Sequence, residues 1–487
     1  MIVISGYVSA TLVFAGLVWL VCARPKMALR PSVMFLALYW LQIQFSAAFN
    51  HETATSMLEN PWIFVLLIHV FPLVVLALIP FSFAEISGRA AGRIAEAVAE
   101  VSLGSLLRRT ALLLVIVYVV LAIYLIYVPF EHTGFYALLF HPDQLDRYRE
   151  YSMKLLTNPF VTYSFAIMEK VVGPLAAGYA AFAGHKAFRE RNFGAVVLCI
   201  LAVAAAAFPP LIYGARGPMT MVIMAALVTL MVTLIGNGVQ PLRLMAIGAT
   251  ALLATLVPIS LLSMLKTDQF SIHAVAYHLV NIADRAMGRG YIDNVWHLRH
   301  VEENGYYGIA GIPKIAALLA MIPKDPMNIV GQEYASDPGA SNNGLFVLND
   351  APQMRQTGGE DLQANVPHEI ASIDITKTAS AGASFVVLNF ALFGFWSIPF
   401  SLAFVFAMDL LLYAFVRMPR ASVPAALGAI SVPVLSLCFS FVTTVLASKG
   451  LLLIPALGWA VGMPWPRRNG DDAPARSGQV GARQPSA

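Results

Sequence analysis

Eleven apolar runs, most of them about 20 residues long, divide this chain and restrict it more than any single motif does. A backbone in hydrocarbon must pair its N–H and C=O groups within one helix or around a closed barrel, so each run reads as a membrane-crossing helix. The runs fall at roughly 3–22, 32–49, 62–83, 110–129, 160–183, 193–213, 218–236, 244–265, 389–415, 422–446 and 450–465. The ninth is long and can begin as a tilted or broken helix near Phe385. Only 12% of residues are charged, about half the level of soluble domains, so lipid is the expected solvent. The expected fold is an all-α polytopic membrane protein of about eleven spans.

The basic residues then assign two sides. Arg24, Lys26, Arg30, Arg89, Arg93, Arg108, Arg109, Lys186, Arg189, Arg191, Arg243, Arg417 and Arg420 fall in one set of connections, 13 in all. The alternate set holds only five: Arg147, Arg149, Lys154, Arg216 and Lys449. The excess of positive charge on the cytoplasmic side predicts an outer, periplasmic N-terminus and a cytoplasmic C-terminus, in a bacterial inner membrane. The first run lacks a small-residue cleavage signal and reads as a retained span. Cys22, Cys199 and Cys438 lie in or at the end of apolar runs, which argues against a disulfide framework or a thiolate metal site.

Four regions follow: a bundle of eight spans over 1–265, a large periplasmic loop over 266–380, three spans over 381–465, and a polar tail over 466–487 expected to be disordered. The loop carries 13 of the 27 acidic residues and half of the ten histidines. Residues 84–109 read as a cytoplasmic interfacial helix near anionic headgroups. Residues 130–159 read as lying along the outer surface, and 306–323 as a helix in or dipping into the outer interface.

Several residues suit anion chemistry. Gly214-Ala215-Arg216-Gly217-Pro218 ends the sixth run, and its glycines let backbone N–H groups approach a phosphate at a helix start. The alternative is a snorkelling arginine in a tight turn. Read as a helix, residues 271–304 place His278, Asn281, Arg285 and Arg289 on one face, where two arginines can straddle a pyrophosphate or form a solvated stripe. Asp293, His297 and His300 share a face beside Arg299, better read as a polar helix face than as a metal site. His368 beside Glu369 is a candidate general base or a solvated loop pair. Glu169, Lys170 and Asp409 are charges inside runs, which are costly in lipid and read as functional by default. For Glu169 and Lys170 a structural role and a place lining a cavity weigh equally.

Four elements together resemble a known family. They are Gly214-Ala215-Arg216-Gly217; Pro323-Lys324-Asp325-Pro326 with Gly331; Thr378-Ala379-Ser380; and Asn389-Phe390-Ala391-Leu392-Phe393-Gly394. Over about 210–410 the chain resembles bacterial polysaccharide repeat-unit polymerases of the Wzy type, which make O-antigen and exopolysaccharide. It departs from them at Phe385 and Val387, where the family often has an acidic residue and a tyrosine, and at Ala391 in place of glycine. The resemblance implies glycosyl transfer between two lipid-linked oligosaccharides, donor and acceptor, carried on undecaprenyl diphosphate. Arg216, Arg285 and Arg289 would stabilise the leaving diphosphate, with His368 or Glu169 as base. His278, Arg299, Lys324, Lys377, Thr378 and Asn389 would bind substrate. No metal, cofactor or nucleic acid is expected; membrane lipids, a chain-length regulator and a flippase are the expected partners. O-antigen ligase-type transfer to a lipid acceptor, a lipid-linked sugar exporter and a structural subunit of a synthase complex are the alternatives.

Overall fold

The computed structural model describes residues 2–81, 84–141, 144–156, 158–214, 216–240, 243, 294–295, 297–299, 301–303, 305–306, 383–438, 445–446 and 449–463. The described residues are all-helical, without a strand. Seven helices are long and apolar enough to cross a membrane: Gly6–Ala23, Pro61–Phe81, Leu103–Tyr127, Phe160–Arg189, Phe193–Ile212, Gly217–Gly236 and Phe385–Arg417. Each overlaps one of the runs read from the sequence. Outside the described residues lie the eighth run (244–265), most of the 266–380 loop, and the tail, and with them His278, Arg285, Arg289, Lys324, His368, Lys377 and Thr378.

The N-terminal helices are α1 (Ile2–Ala23), α2 (Pro31–Tyr39), α3 (Phe45–Phe49), α4 (His51–Ser56), α5 (Pro61–Phe64) and α6 (Phe71–Leu78). One π turn, Trp40–Gln44, joins α2 to α3, and a second, Val65–Val70, joins α5 to α6. Next come α7 (Ala84–Glu100), α8 (Leu103–Tyr127), α9 (Gly134–Phe140), α10 (Leu145–Leu155) and α11 (Pro159–Ile167). A third π turn, Met168–Val172, leads into α12 (Gly173–Arg189). They are followed by α13 (Phe193–Ala207), α14 (Pro209–Ile212) and α15 (Arg216–Gly236). The C-terminal part holds α16 (Phe385–Phe393), α17 (Ser397–Ala407), α18 (Leu411–Arg417), α19 (Val423–Ala429), α20 (Ser431–Ser436) and α21 (Leu453–Gly462).

In a bilayer the water-driven hydrophobic effect does not hold helices together, so close packing must. The centre of the bundle is where α12, α15 and α19 meet at small residues. A Cβ on Gly428 would lie 1.8 Å from Thr229 Oγ1, and one on Gly178 would lie 2.9 Å from the same atom. Thr229 spends its hydroxyl on Ala225 O, so the contact leaves no polar atom unpaired.

The basic ends of the helices gather around α7. Arg93 donates to Val416 O and Met418 O at the end of α18, at 3.0 and 3.1 Å. Lys186 donates to Val98 O at the end of α7 at 3.0 Å, and Arg109 to Val461 O and Gly462 O at the end of α21. Arg420 pairs with Glu96 and Glu100 of α7. Arg93, Arg109 and Lys186 sit at carbonyls left without an intrahelical partner, where the helix dipole favours positive charge. The sequence reading turns Arg93 toward lipid headgroups; the structure instead commits it to another helix.

The run at 389–415 is not one straight span. Phe385 and Phe404 would stand about 28 Å apart along a continuous helix, yet their ring centroids are 5.8 Å apart. Asn389 Nδ2 likewise reaches Ser401 Oγ at 3.1 Å. The chain turns back at Gly394, whose φ of +63° ends α16 in a conformation that residues with a Cβ avoid. Tyr306 fills the space over that glycine, and Trp62 stacks on Phe395, so the turn lies at the end of the bundle away from α7. The first residue of α16 is inside the bundle: Phe385 N–H donates to Leu437 O, and its ring packs on Phe35.

At the α7 end, Arg30 and Asp409 form an ion pair with neither side chain exposed. Arg30 Nε donates to Asp409 Oδ2 at 2.8 Å, and Arg30 Nη1 to Ile79 O at 2.7 Å. Asp409 also accepts from the Ser32 backbone N–H and hydroxyl, which makes it the cap of α2. Asp409→Ala would strand a buried guanidinium and should cost about 3–5 kcal/mol. The double variant Arg30→Met/Asp409→Leu should recover part of that loss, both read as thermal unfolding midpoints in one detergent.

Candidate functional site

The site is built around the third π turn. Pro174 lacks an N–H and its ring crowds the carbonyl four residues earlier, so the helix widens just before it, over Met168–Val172. The widened turn carries Glu169, which is 7% exposed. Its Oε1 has no hydrogen-bond partner among the described residues. Lys170, Lys449 and Arg149 lie within electrostatic reach of the carboxylate. Lys449 comes from the connection before α21, where Gly450 at φ +89° packs against Val171. Two cations of the sparsely charged set of connections, Arg149 and Lys449, thus converge with Lys170 and one buried acid from a span.

Arg149 joins this cluster to the Gly214 turn. Its guanidinium lies over the Tyr213 ring, 5.2 Å from the centroid, and its stem packs on Gly214. Gly214 has φ +79°, and a Cβ there would meet Leu145 at 2.7 Å. Across the turn, a Cβ on Gly134 would come within 2.3 Å of Tyr213 O. The two glycines let α9 and α10 close over the turn, so residues 134–155 pack as a cap on the site. Tyr124 and Phe165 stack at 4.5 Å, with Tyr213 edge-on to Phe165, and make the aromatic wall. Tyr124 also lies within electrostatic reach of Glu169.

The sequence-derived candidates divide sharply. Glu169 is at the centre. Arg216 is the first residue of α15, directly after the turn that Arg149 covers, as its small-Arg-small setting suggests. Asn389 is buried between the legs of the hairpin and spends its amide on Ser401, so it ties those legs together. Arg299 is exposed, pairs with Glu303, and belongs to a different surface. That surface is the short helical stretch where Glu302 caps α5 through the backbone N–H groups of Glu59 and Asn60. Of Asp293, His297 and His300, read as a polar helix face, His297 is buried; among the described residues no group of three or more His, Cys, Asp or Glu is arranged to hold a metal.

Arg149, Lys449 and Tyr124 did not stand out in the sequence. One signal was present: a proline inside an apolar run, with an ionisable residue a few positions before it. Glu169 precedes Pro174, and His69 in the second π turn precedes Pro72 in the same way.

No protein-family model, curated protein or solved structure matches this chain.

An acid amid three cations beneath a glycine turn can accept a proton and hold an oxyanion in one place. The turn itself is testable. Gly214→Ala forces a left-handed conformation on alanine, at about 1–2 kcal/mol before any clash, and should lower the thermal midpoint. Gly217→Ala, with open space around its Cβ position, should leave the midpoint unchanged.

Proposed function

We propose that this protein joins lipid-linked oligosaccharide repeat units into a surface polysaccharide, acting at the membrane face away from α7. The observation that carries the reading is the buried Glu169 carboxylate, one oxygen without a hydrogen bond among the described residues, beside Lys170, Lys449 and Arg149. It is supported by the resemblance of the Gly214–Gly217 turn, beside that cluster, to the small-Arg-small turn of Wzy-type polymerases. On this reading the end carrying Glu169 faces the periplasm of a bacterial inner membrane.

Glycosyl transfer of this kind needs two things from the protein. The acceptor hydroxyl must lose a proton as it attacks the anomeric carbon of the donor, and the departing undecaprenyl diphosphate must be stabilised. Glu169 is suited to the first task because its free oxygen can take the proton. Arg149, Lys449 and Arg216 are suited to the second: Arg216 is the first residue of α15, and Arg149 and Lys449 are half-buried cations within electrostatic reach of Glu169. The aromatic wall of Tyr124, Phe165 and Tyr213 offers flat apolar faces against which a sugar ring can pack. Arg285, Arg289 and His368 would complete the site from the large loop, with a flippase supplying substrate and a chain-length regulator acting on the product.

The test is the length distribution of polymer in a knockout complemented with wild type, Glu169→Gln or Arg149→Ala at matched membrane levels. A proton-accepting role predicts that Glu169→Gln lowers polymerisation by about 10²–10⁴-fold, leaving single units. A wild-type ladder from Glu169→Gln would overturn the assignment of the base. If the knockout keeps a full ladder but loses transfer of finished glycan to its lipid acceptor, the ligase-type reading replaces this one.

A further inference from the structure

A second buried polar cluster lies at the same end of the bundle and has no part in the proposed transfer. It joins α1, α4 and the first two π turns through Ser9, Gln44, His51 and His69. His51 and His69 are each 1% exposed, Ser9 is 5% and Gln44 0%. Ser9 Oγ lies 3.0 Å from His69 Nδ1, and His51 Nδ1 lies 3.2 Å from His69 Nε2.

The donors fix the direction of this chain. Ser9 donates its hydroxyl to Gly6 O at 3.0 Å, so toward His69 it is an acceptor, and His69 Nδ1 carries the proton. A neutral His69 then accepts at Nε2, which makes His51 Nδ1 the donor across the 3.2 Å gap. A neutral His51 is left with a bare lone pair on Nε2, and that atom is buried without a partner among the described residues. Gln44 Oε1 and Ser46 Oγ are also buried and unpartnered. Polar atoms left in this condition are uncommon and destabilising, and the bare lone pair on His51 Nε2 is a basic position that can take a proton.

We propose that this chain is a proton-binding site: as pH falls, one proton from solvent enters at His51 Nε2, and the buried charge loosens α1 from α3–α6. The step forms one N–H bond on the imidazole and breaks one O–H bond of a hydronium ion, which leaves as water. A second proton is excluded, because on His69 Nε2 it would face the His51 Nδ1–H across the same gap. The surroundings hold no compensating charge. In the described residues α1, α2, α3, α5 and α6 carry no Asp, Glu, Lys or Arg, and their other titratable groups are Tyr7, Cys22 and Tyr39. Glu52 of α4 is exposed, Glu59 is exposed beyond it, and Glu302 is engaged with the backbone at Glu59 and Asn60. Packing against Gly6 is close: a Cβ there would meet His51 Nδ1 at 3.1 Å, so movement of the ring is felt by α1.

The sign follows from burial, which holds the His51 imidazole below the usual histidine range of about 6.5. The unfolded chain then binds more protons than the folded one as pH falls through that range. The stability due to the neutral chain is fully present above about pH 6.5 and is lost in acid.

The experiment uses the full chain in nanodiscs, wild type against His51→Asn, whose amide keeps the donor to His69 but cannot titrate. The wild-type thermal midpoint should fall by several degrees more than that of His51→Asn between about pH 7.5 and about pH 5.5. Ser9→Ala, which keeps both rings, should be less stable at every pH and retain the wild-type pH dependence. Independently of stability, ¹⁵N-histidine spectra of wild type should contain an unprotonated ring-nitrogen signal, absent from His51→Asn, that disappears on acidification. Equal pH dependence in wild type and His51→Asn, or no such titrating signal, would overturn the proposal.

Discussion

The Arg30–Asp409 pair is the interaction on which the arrangement of the two halves depends. Arg30 ends the first connection, Ile79 lies in the last turns of the third helical run, and Asp409 lies just past the middle of the hairpin's descending leg. Fully buried charges are costly in a low-dielectric interior and persist where every lone pair and proton is matched. Here the carboxylate accepts from Arg30 and from both donors of Ser32, and the guanidinium also reaches a helix-terminal carbonyl. The pair therefore sets the height of α17–α18 against α2 and α6. With the descending leg held there, α16 is carried into the bundle, and Phe385 packs against Phe35.

The same economy of charge runs through the α7 end. Arg93, Arg109 and Lys186 belong to the basic set that assigns sidedness, yet each is bound to the terminal carbonyls of another helix. Positive charge at this end thus does two jobs. It provides the asymmetry that the positive-inside rule reads, and it closes helix ends that would otherwise leave carbonyls unpaired. The short connections at the opposite end hold five cations, and three of them, Arg149, Lys449 and Arg216, lie at the Glu169 site or at the turn beside it.

Buried polar side chains in this molecule are associated with local departures from regular helix. Three π turns carry Gln44, His69 and Glu169, all buried. A widened turn re-aims one side chain without ending the helix, which lets a membrane span hold a polar group away from lipid. Two of the three precede a proline, whose missing N–H and bulky ring make the regular turn unfavourable. The glycines at 134, 214 and 394 act differently, by permitting close approach or a backbone conformation closed to other residues.

The sequence by itself determined the all-helical fold and the seven long apolar helices, because a backbone in lipid has to pair its own polar groups and apolar runs of sufficient length leave few other choices. It also determined that Glu169 and Asp409 were costly and that the Gly214–Gly217 turn was unusual, since both facts depend only on residue type and position in a run. Only the tertiary structure decided what those charges do. Asp409 meets Arg30, 379 positions earlier in the chain, and becomes a structural pair. Glu169 comes within electrostatic reach of Arg149 and Lys449 from two separate connections. The fold-back at Gly394 was equally hidden, because a hairpin of two apolar legs and one long apolar helix have the same hydropathy. A two-residue proximity between distant segments leaves no local trace, and that is why the partners were not legible while the spans were.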